Sequence, residues 1–221
     1  TIQSRGLGDV YKRQYIDPVR YISNESSGKQ GYEIALALDR LGIKTTLIIG
    51  PSNLATQKNI KTKKIVTANE LLIETKKSLP VDVAVCAAAV SDFKPVVQNK
   101  NKLKKNKNSI KPIKIEKNKD VLEYLGKNNE HRPKLVVGFS AETENVNKNS
   151  ITKMKKKNCD LIIANNVSKK GIGFNSDYNE VSIIDNNGNI KIIKKNKKSY
   201  IANKIAEVIL DKLLVDDRSF N

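Results

Sequence analysis

Three uninterrupted apolar runs constrain this chain more than anything else in it: VDVAVCAAAV (81–90), KLVVGFSAET (134–143) and DLIIANNV (160–167). A strand with one face in water alternates polar and apolar residues. A run that stays apolar must be covered on both faces, as in a parallel sheet packed between helices. The intervening segments supply the covering helices. GYEIALALDRLG (31–42) has apolar residues at 34, 36, 38 and 41 and stops at Gly42. NELLIETKKSL (69–79) reads as a helix capped by Asn69, and KDVLEYLGK (119–127) as one capped by Asn118. NVNKNSITKMKKKN (145–158) is a basic helix, and KSYIANKIAEVILDKLL (198–214) an amphipathic closing one. Further strands are expected at 44–50, 63–68 and 113–118, with a hairpin over 179–195 around an Asn-Gly turn. Strands alternating with helices predict an α/β, Rossmann-like, doubly wound and mostly parallel sheet with an appended antiparallel hairpin.

Length and composition narrow the chemistry. A chain of 221 residues with 38% hydrophobic content buries one sizeable core. No run approaches the roughly 18 apolar residues of a membrane span, and no signal peptide opens the sequence, so a cytoplasmic protein without a membrane partner is expected. Cys86 and Cys159 fall in apolar segments and read as buried, reduced thiols. The single histidine, His131, sits in a loop, which disfavours histidine acid–base catalysis and zinc chemistry. The net charge of +18 is mostly lysine, spread along the chain among asparagines and isoleucines, as an AT-rich genome produces. Few aromatics are available to stack bases, so nucleic acid is not the expected partner, whereas small anions are. Two alternatives stay open at this point. A basic, non-enzymatic nucleic-acid binder would lose affinity steeply with salt. An NAD(P)-binding Rossmann oxidoreductase would need G-x-G-x-x-G after its first strand, a motif not found here.

In a doubly wound sheet, ligands bind beyond the carboxyl ends of the strands. Three such ends carry polar sequence: AAAVSDFKP, VGFSAETEN and IIANNVS. Ahead of the first helix, RYISNESSGKQG brings Ser26, Ser27, Gly28 and Lys29 to a helix N-terminus, where N–H groups, hydroxyls and the helix dipole suit a phosphate or carboxylate. The lysine-rich stretch SDFKPVVQNKNKLKKNKNSIKP has no apolar period and reads as a solvated loop or a lid over an anion.

DPVRYISNESSGKQG, AAAVSDFKP, KLKK, VGFSAETEN, DLIIANNVS and GFNSDYNEV, in that order, closely resemble the phosphopantothenate–cysteine ligase family from about Ile16 to Leu214. The resemblance implies a dimeric, Rossmann-like synthetase of coenzyme A biosynthesis, often the C-terminal half of a bifunctional protein. CTP, with Mg2+, would activate the carboxylate of 4′-phosphopantothenate as an acyl-cytidylate, releasing pyrophosphate. The amine of cysteine would then displace CMP. No side-chain nucleophile is needed, in keeping with the scarcity of His and Cys. FMN would be present only if the family's decarboxylase half were fused upstream.

Residue by residue, the resemblance implies that Asn24 handles the acyl-cytidylate and that Arg20 assists it. Asp92 matches a nucleotide-contacting aspartate, with ribose or metal as its partner, and Cys86 and Ala88 line the same strand end. Lys102, the first lysine of KLKK, matches the family's catalytic lysine. Lys119, Asp120, Val121 and Leu122 match a helix start that contacts CTP, with Lys119 standing where a proline is usual. Phe139 matches a phenylalanine near the base. Lys153 and Lys157 match a lysine pair whose spacing sets both ammonium groups on one helix face to converge on one anion, with Lys155 and Lys156 pointing elsewhere. Asn166 stands where aspartate is commoner. The region from about 165 to 195 resembles the family's dimerisation and lid region.

The front of the chain departs from the family. TIQSRGLGDVYKRQ (1–14) holds two of the six arginines, has no apolar run longer than two and does not begin with methionine. It reads as a non-native segment. The ligase domain is then expected over 15–214, N-terminally truncated, with its first strand and glycine turn missing, followed by a polar tail at 215–221.

Overall fold

The computed structural model describes residues 3–7, 13–24, 26–55, 57–104, 112–128, 130–169, 171–173 and 176–218. Along the chain run β1 (Gln3–Leu7), β2 (Gln14–Tyr15), β3 (Tyr21–Ile22), α1 (Lys29–Arg40), β4 (Lys44–Ile49), β5 (Lys61–Lys64), α2 (Ala68–Lys76), β6 (Val83–Cys86), β7 (Phe93–Pro95), β8 (Ile115–Lys117), α3 (Val121–Lys127), β9 (Leu135–Glu142), α4 (Val146–Lys157), β10 (Leu161–Asn166), β11 (Tyr178–Asp185), β12 (Ile190–Lys197) and α5 (Lys198–Arg218). The main sheet has the order β12-β11-β10-β9-β6-β1-β4-β5. From β5 to β10 its neighbours are parallel, and the hairpin β11–β12 adds two antiparallel strands at one edge. Numbered by sequence, the parallel strands lie third, second, first, fourth, fifth, sixth, the order of two βαβαβ halves meeting back to back.

The apolar runs are buried on both faces, as their composition requires. Val83, Val85, Leu135, Val137, Leu161 and Ile163 pack with α1 and α5 through Ile34, Leu38, Ile201, Ile205 and Ile209. The alternate residues Ala84, Cys86, Val136, Ile162 and Ala164 face α2, α3 and α4 through Leu71, Leu122, Leu125 and Met154. Full burial of such side chains contributes about 1.5–3 kcal/mol each. These two layers make the sheet rigid and leave its carboxyl ends open for a site.

The expectation of a missing first strand is corrected. Gln3–Leu7 occupies that slot, paired in parallel with Lys44–Ile48 on one side and, from Ser4, with Val83–Cys86 on the other. A strand flanked on both edges is held by main-chain N–H and C=O groups that every residue carries apart from proline's N–H. QSRGL therefore takes the position without the apolar run by which a central strand is recognised. Residues 1–2 and 8–12 of the front segment lie outside the described residues.

Several boundaries also differ from expectation. Thr67, not Asn69, caps α2: its hydroxyl accepts from Glu70 N (3.2 Å), and the Glu70 carboxylate accepts from Val66 N (2.8 Å), a reciprocal cap. Asp120 caps α3 by accepting from Glu123 N at 2.9 Å, while Asn118 donates its side-chain amide to Ser91 O at 3.2 Å. The strand expected at 113–118 is β8, which pairs with β7 in a separate antiparallel ribbon instead of joining the main sheet. Of the lysine-rich loop, residues 105–111 lie outside the described residues.

Candidate functional site

Between β1 and β6 the strand order reverses, and the crevice beyond the carboxyl ends holds two adjoining cavities. The larger, about 830 Å³, lies between the end of β6, the start of α3 and one face of α4. Its wall includes Cys86, Ala88, Asp92, Phe139 and Lys153. Lys119, Asp120, Val121, Leu122 and Lys157, also expected at the nucleotide, lie in the same wall, whereas Lys102, expected there as well, does not. The smaller, about 220 Å³, is lined by Asn24, Ser26, Ser27 and Lys29. Ala88, Val90, Asp92, Phe139 and Lys153 belong to both walls, so the two chambers meet there.

Each wall has a local cause. Asp92 sits on a turn shaped by the Ser91 hydroxyl, which donates to Phe93 O (2.9 Å), and by Asn118, whose N–H donates to Asp92 O (2.7 Å). At the other chamber, Gly28 stands at the N-cap of α1 in the left-handed region (φ 74°), among the described residues no side chain caps the helix, and Lys29 and Gln30 of its first turn line the cavity. Gln30 ties this helix start to the hairpin layer, donating to Lys198 O (3.3 Å) and accepting from Asn179 (3.4 Å). Asn24 donates to Val90 O at 3.3 Å, which joins the SSGK loop to the β6 end. The Lys29 ammonium pairs with Asp177 at 2.6 Å and holds that carboxyl below its ordinary value.

The two lysines expected as a pair on α4 both line the larger chamber but differ in their partners. Lys157 is bound by Asp120 (2.9 Å) and Glu123 (2.7 Å). Burial pushes the Lys157 ammonium down, yet these two carboxylates hold it above its ordinary value. Lys127 first, then Lys157, hold the Glu123 carboxyl down at about 2. Lys153 is the α4 lysine at the junction of the chambers. Lys156, expected to point elsewhere, lines the larger chamber beside Asn149, Thr152 and Lys153. The spacing 149, 152, 153, 156 is a helical stripe and was the available signal.

Arg20 and Lys102 line neither chamber. The Arg20 guanidinium engages the buried Asp17 carboxylate and donates to Leu103 O at 2.9 Å. Lys102 is exposed on the adjoining strap. The sequence suggested no site role for Asp17, Glu123 or Asn179, each of which has a partner distant in the chain: Leu103, Lys157 and Gln30.

Strand order, a crevice at the reversal point and an uncapped helix start beside a Ser-Ser-Gly-Lys loop define a Rossmann-like, ligand-binding α/β domain. Within that class, the chain belongs to the DNA/pantothenate metabolism flavoprotein C-terminal domain family, whose family model matches residues 12–213. The coenzyme A biosynthesis bifunctional protein CoaBC of Haemophilus influenzae is 40% identical over 198 residues, covering 89% of this chain and 49% of that protein. The chain thus spans about half the length of the curated relatives it matches. The crystal structure of the C-terminal domain of a coenzyme A biosynthesis bifunctional protein CoaBC aligns with a TM-score of 0.77 at 28% identity, covering 97% of this chain and 96% of that one. The DNA/pantothenate metabolism flavoprotein from Streptococcus pneumoniae shares the fold, with a TM-score of 0.78 at 21% identity over 97% of this chain and 99% of that one. The family match begins at residue 12, after β1.

Proposed function

We propose that this chain ligates 4′-phosphopantothenate to cysteine in coenzyme A biosynthesis, with CTP as the activating co-substrate. The observation that carries the reading is the pair of adjoining chambers sharing Asp92, Phe139 and Lys153. A reaction between a nucleotide and a second anion needs two compartments with a common wall, and family membership supplies the chemistry.

The larger chamber takes the nucleotide, with Phe139 and the start of α3 against it. The smaller takes the acyl substrate, with Asn24, Ser26, Ser27, Lys29 and the uncapped start of α1 as its polar wall. The substrate carboxylate attacks the α-phosphorus at the junction, forming a C–O–P bond while the bond to pyrophosphate breaks. The cysteine amine then attacks the acyl carbon, and CMP leaves with the bonding electrons as the amine loses its proton. Fixed cations lower the cost of the charge that develops at phosphorus, and the proposal gives this role to Lys153, which lines both chambers. Lys102 is the remaining catalytic lysine of the proposal, and Arg20 supports the loop that carries Asn24.

Magnesium typically takes one or two carboxylates and completes its shell with water and substrate phosphates. Among the described residues no group of three metal-ligating side chains occurs, but the Asp92 carboxylate at the nucleotide chamber fits that lighter requirement. When bound there, the ion would supply charge neutralisation of the phosphates. FMN enters the proposal only with a decarboxylase segment upstream. A homodimer fits exposed apolar side chains on the ribbon and hairpin, Phe93, Ile115 and Ile192 among them; sedimentation of the chain as a monomer would remove it. Among the described residues no helix is long and apolar enough to cross a membrane.

The deciding assay is pyrophosphate release from CTP, expected only when phosphopantothenate and cysteine are both supplied for turnover. Release that is indifferent to phosphopantothenate would overturn the reading.

A further inference from the structure

The buried Asp17 carboxylate lies outside both chambers yet bonds to two separate parts of the molecule. Within its own loop it accepts from Val19 N (2.9 Å), Arg20 N (2.9 Å) and Arg20 Nε (2.9 Å). Across to the strap after β7 it accepts from Leu103 N at 3.1 Å. The Arg20 guanidinium then closes a ring by donating to Leu103 O at 2.9 Å. A second tie lies four residues earlier: Asn99 N and Asn99 Nδ2 both donate to Ile16 O, at 2.9 and 3.2 Å. Residues 99–103 are thus pinned at both ends to the loop that leads into Asn24, and Lys102 stands between the pins. Lys102 is exposed, and among the described residues nothing pairs with its ammonium. A flexible lysine in a polar strap gains a defined position only from its backbone anchors, and a misplacement of about 1 Å can cost on the order of 100-fold in rate.

We propose that Asp17 is the positioning residue for Lys102, holding the strap 99–103 against the Asn24 loop through Leu103 so that both arrive at the substrate together. The inference rests on the reading of Lys102 as a catalytic lysine. It also gives Arg20 a function without substrate contact, as the second half of the same clamp. A carboxylate buried beside a guanidinium and supplied with several N–H donors stays ionised, and Arg20 holds Asp17 well below the usual carboxylate range.

The test compares Asp17→Asn and Lys102→Gln, singly and together, in steady-state pyrophosphate release from CTP, with thermal melting as the control for folding. Asp17→Asn should lower kcat by about 10- to 100-fold with KM for CTP within about twofold of the parent. In the Lys102→Gln background, with residual turnover read at high enzyme concentration, Asp17→Asn should cost less than about twofold more. Should Asp17→Asn melt early, Arg20→Lys replaces it, since it keeps a cation on Asp17 while losing the forked reach to Leu103 O. Normal turnover in Lys102→Gln would sink the reading of Lys102 and this inference with it. A slow Lys102→Gln beside a normal Asp17→Asn would sink the inference alone. An equal loss in both backgrounds, or a raised KM for CTP, would assign Asp17 a purely structural role and overturn the proposal.

Discussion

Gly126 stands in the last turn of α3, and a Cβ built there would lie 2.0 Å from Lys157 O and 2.7 Å from Asn158 O. Both obstacles are main chain at the end of α4, so no rotamer change relieves them. Comfortable carbon–oxygen separation is above about 3 Å, and Gly126→Ala must therefore drive α3 and α4 apart by about 1 Å. The same corner is knotted by hydrogen bonds: Gly126 O accepts from Asn158 Nδ2 (2.7 Å) and Arg132 Nε (3.0 Å), and Arg132 Nη2 donates to Asn158 O (2.9 Å). Overpacking against a rigid neighbour costs about 3 kcal/mol at the upper end of its usual range. Alanine returns about 1 kcal/mol as the better helix former. The net loss is about 2 kcal/mol, which for a domain of this size lowers Tm by about 4–8 °C. Gly138→Ala is the internal comparison. Its Cβ would meet the Leu122 Cδ2 methyl at 2.8 Å and Cys159 Sγ at 3.3 Å, and the methyl can turn away, so the loss should be the smaller of the two. Parallel thermal and urea melts of the three proteins read this directly. A Gly126→Ala protein as stable as its parent, or more so as helix propensity alone predicts, would refute the steric argument.

Lys153→Gln should raise KM for CTP more than Lys157→Gln, because Asp120 and Glu123 already occupy Lys157; the reverse order in steady-state kinetics would contradict the site as described. Asp185 accepts from Asn187 N, Asn189 N, Asn189 Nδ2 and Lys212 Nζ at 2.9–3.0 Å. Burial pushes its carboxyl up, but the bonds from Asn189 and Lys212 outweigh that and hold it at about 2, below its ordinary 3.8. Its contribution is therefore complete above pH 3.8 and is lost as pH falls through about 2. Asp185→Asn should have a lower urea midpoint than the parent at pH 6, with the gap closing below pH 4; a gap independent of pH would count against the assignment. Burial first, then Asp160, pushes the Cys159 thiol up to about 11, so mass spectrometry after iodoacetamide at pH 8 should find Cys159 unmodified in the native protein and alkylated in urea.

The parts of this molecule legible in its sequence are those where one residue's environment dictates its own type. The stretches 83–86, 135–139 and 161–164 had to be apolar because helices cover both faces, and Asn187-Gly188 announces the β11–β12 turn. The strand ends followed from these runs, whereas Asp92, Phe139, Lys153 and the helix start at 119–122 were named through the family resemblance, and all of them line the larger chamber. What stayed hidden depends on partners that the local sequence does not specify. QSRGL is a central strand because β4 and β6 flank it. Lys157 reads as an open cation until Asp120 and Glu123, more than thirty positions earlier, fold against it. Asp17 reads as one residue of a turn until Leu103 arrives. The caps were misplaced for a smaller reason: Asn, Thr and Asp are all good caps, and a shift of a residue or two in helix start selects a different one.

β1 lies in the middle of the sheet, yet both of its neighbours come later in the chain, with Gln3 beside Lys44 and Ser4 beside Val83. On one side, β6, β9, β10 and the hairpin assemble largely from segments near one another in sequence. On the other, β4 and β5 do the same. β1 is the seam between these two half-sheets, and its position requires two loop closures rather than one. Protection of its amides against hydrogen exchange should therefore be gained only when the halves have joined. An opening that parts the halves should expose β1 while β9 and β10 keep their protection. The exchange rate of residues 4–7 would then measure how often the molecule comes apart along its middle, a fluctuation that crosses the floor of the crevice holding the two chambers.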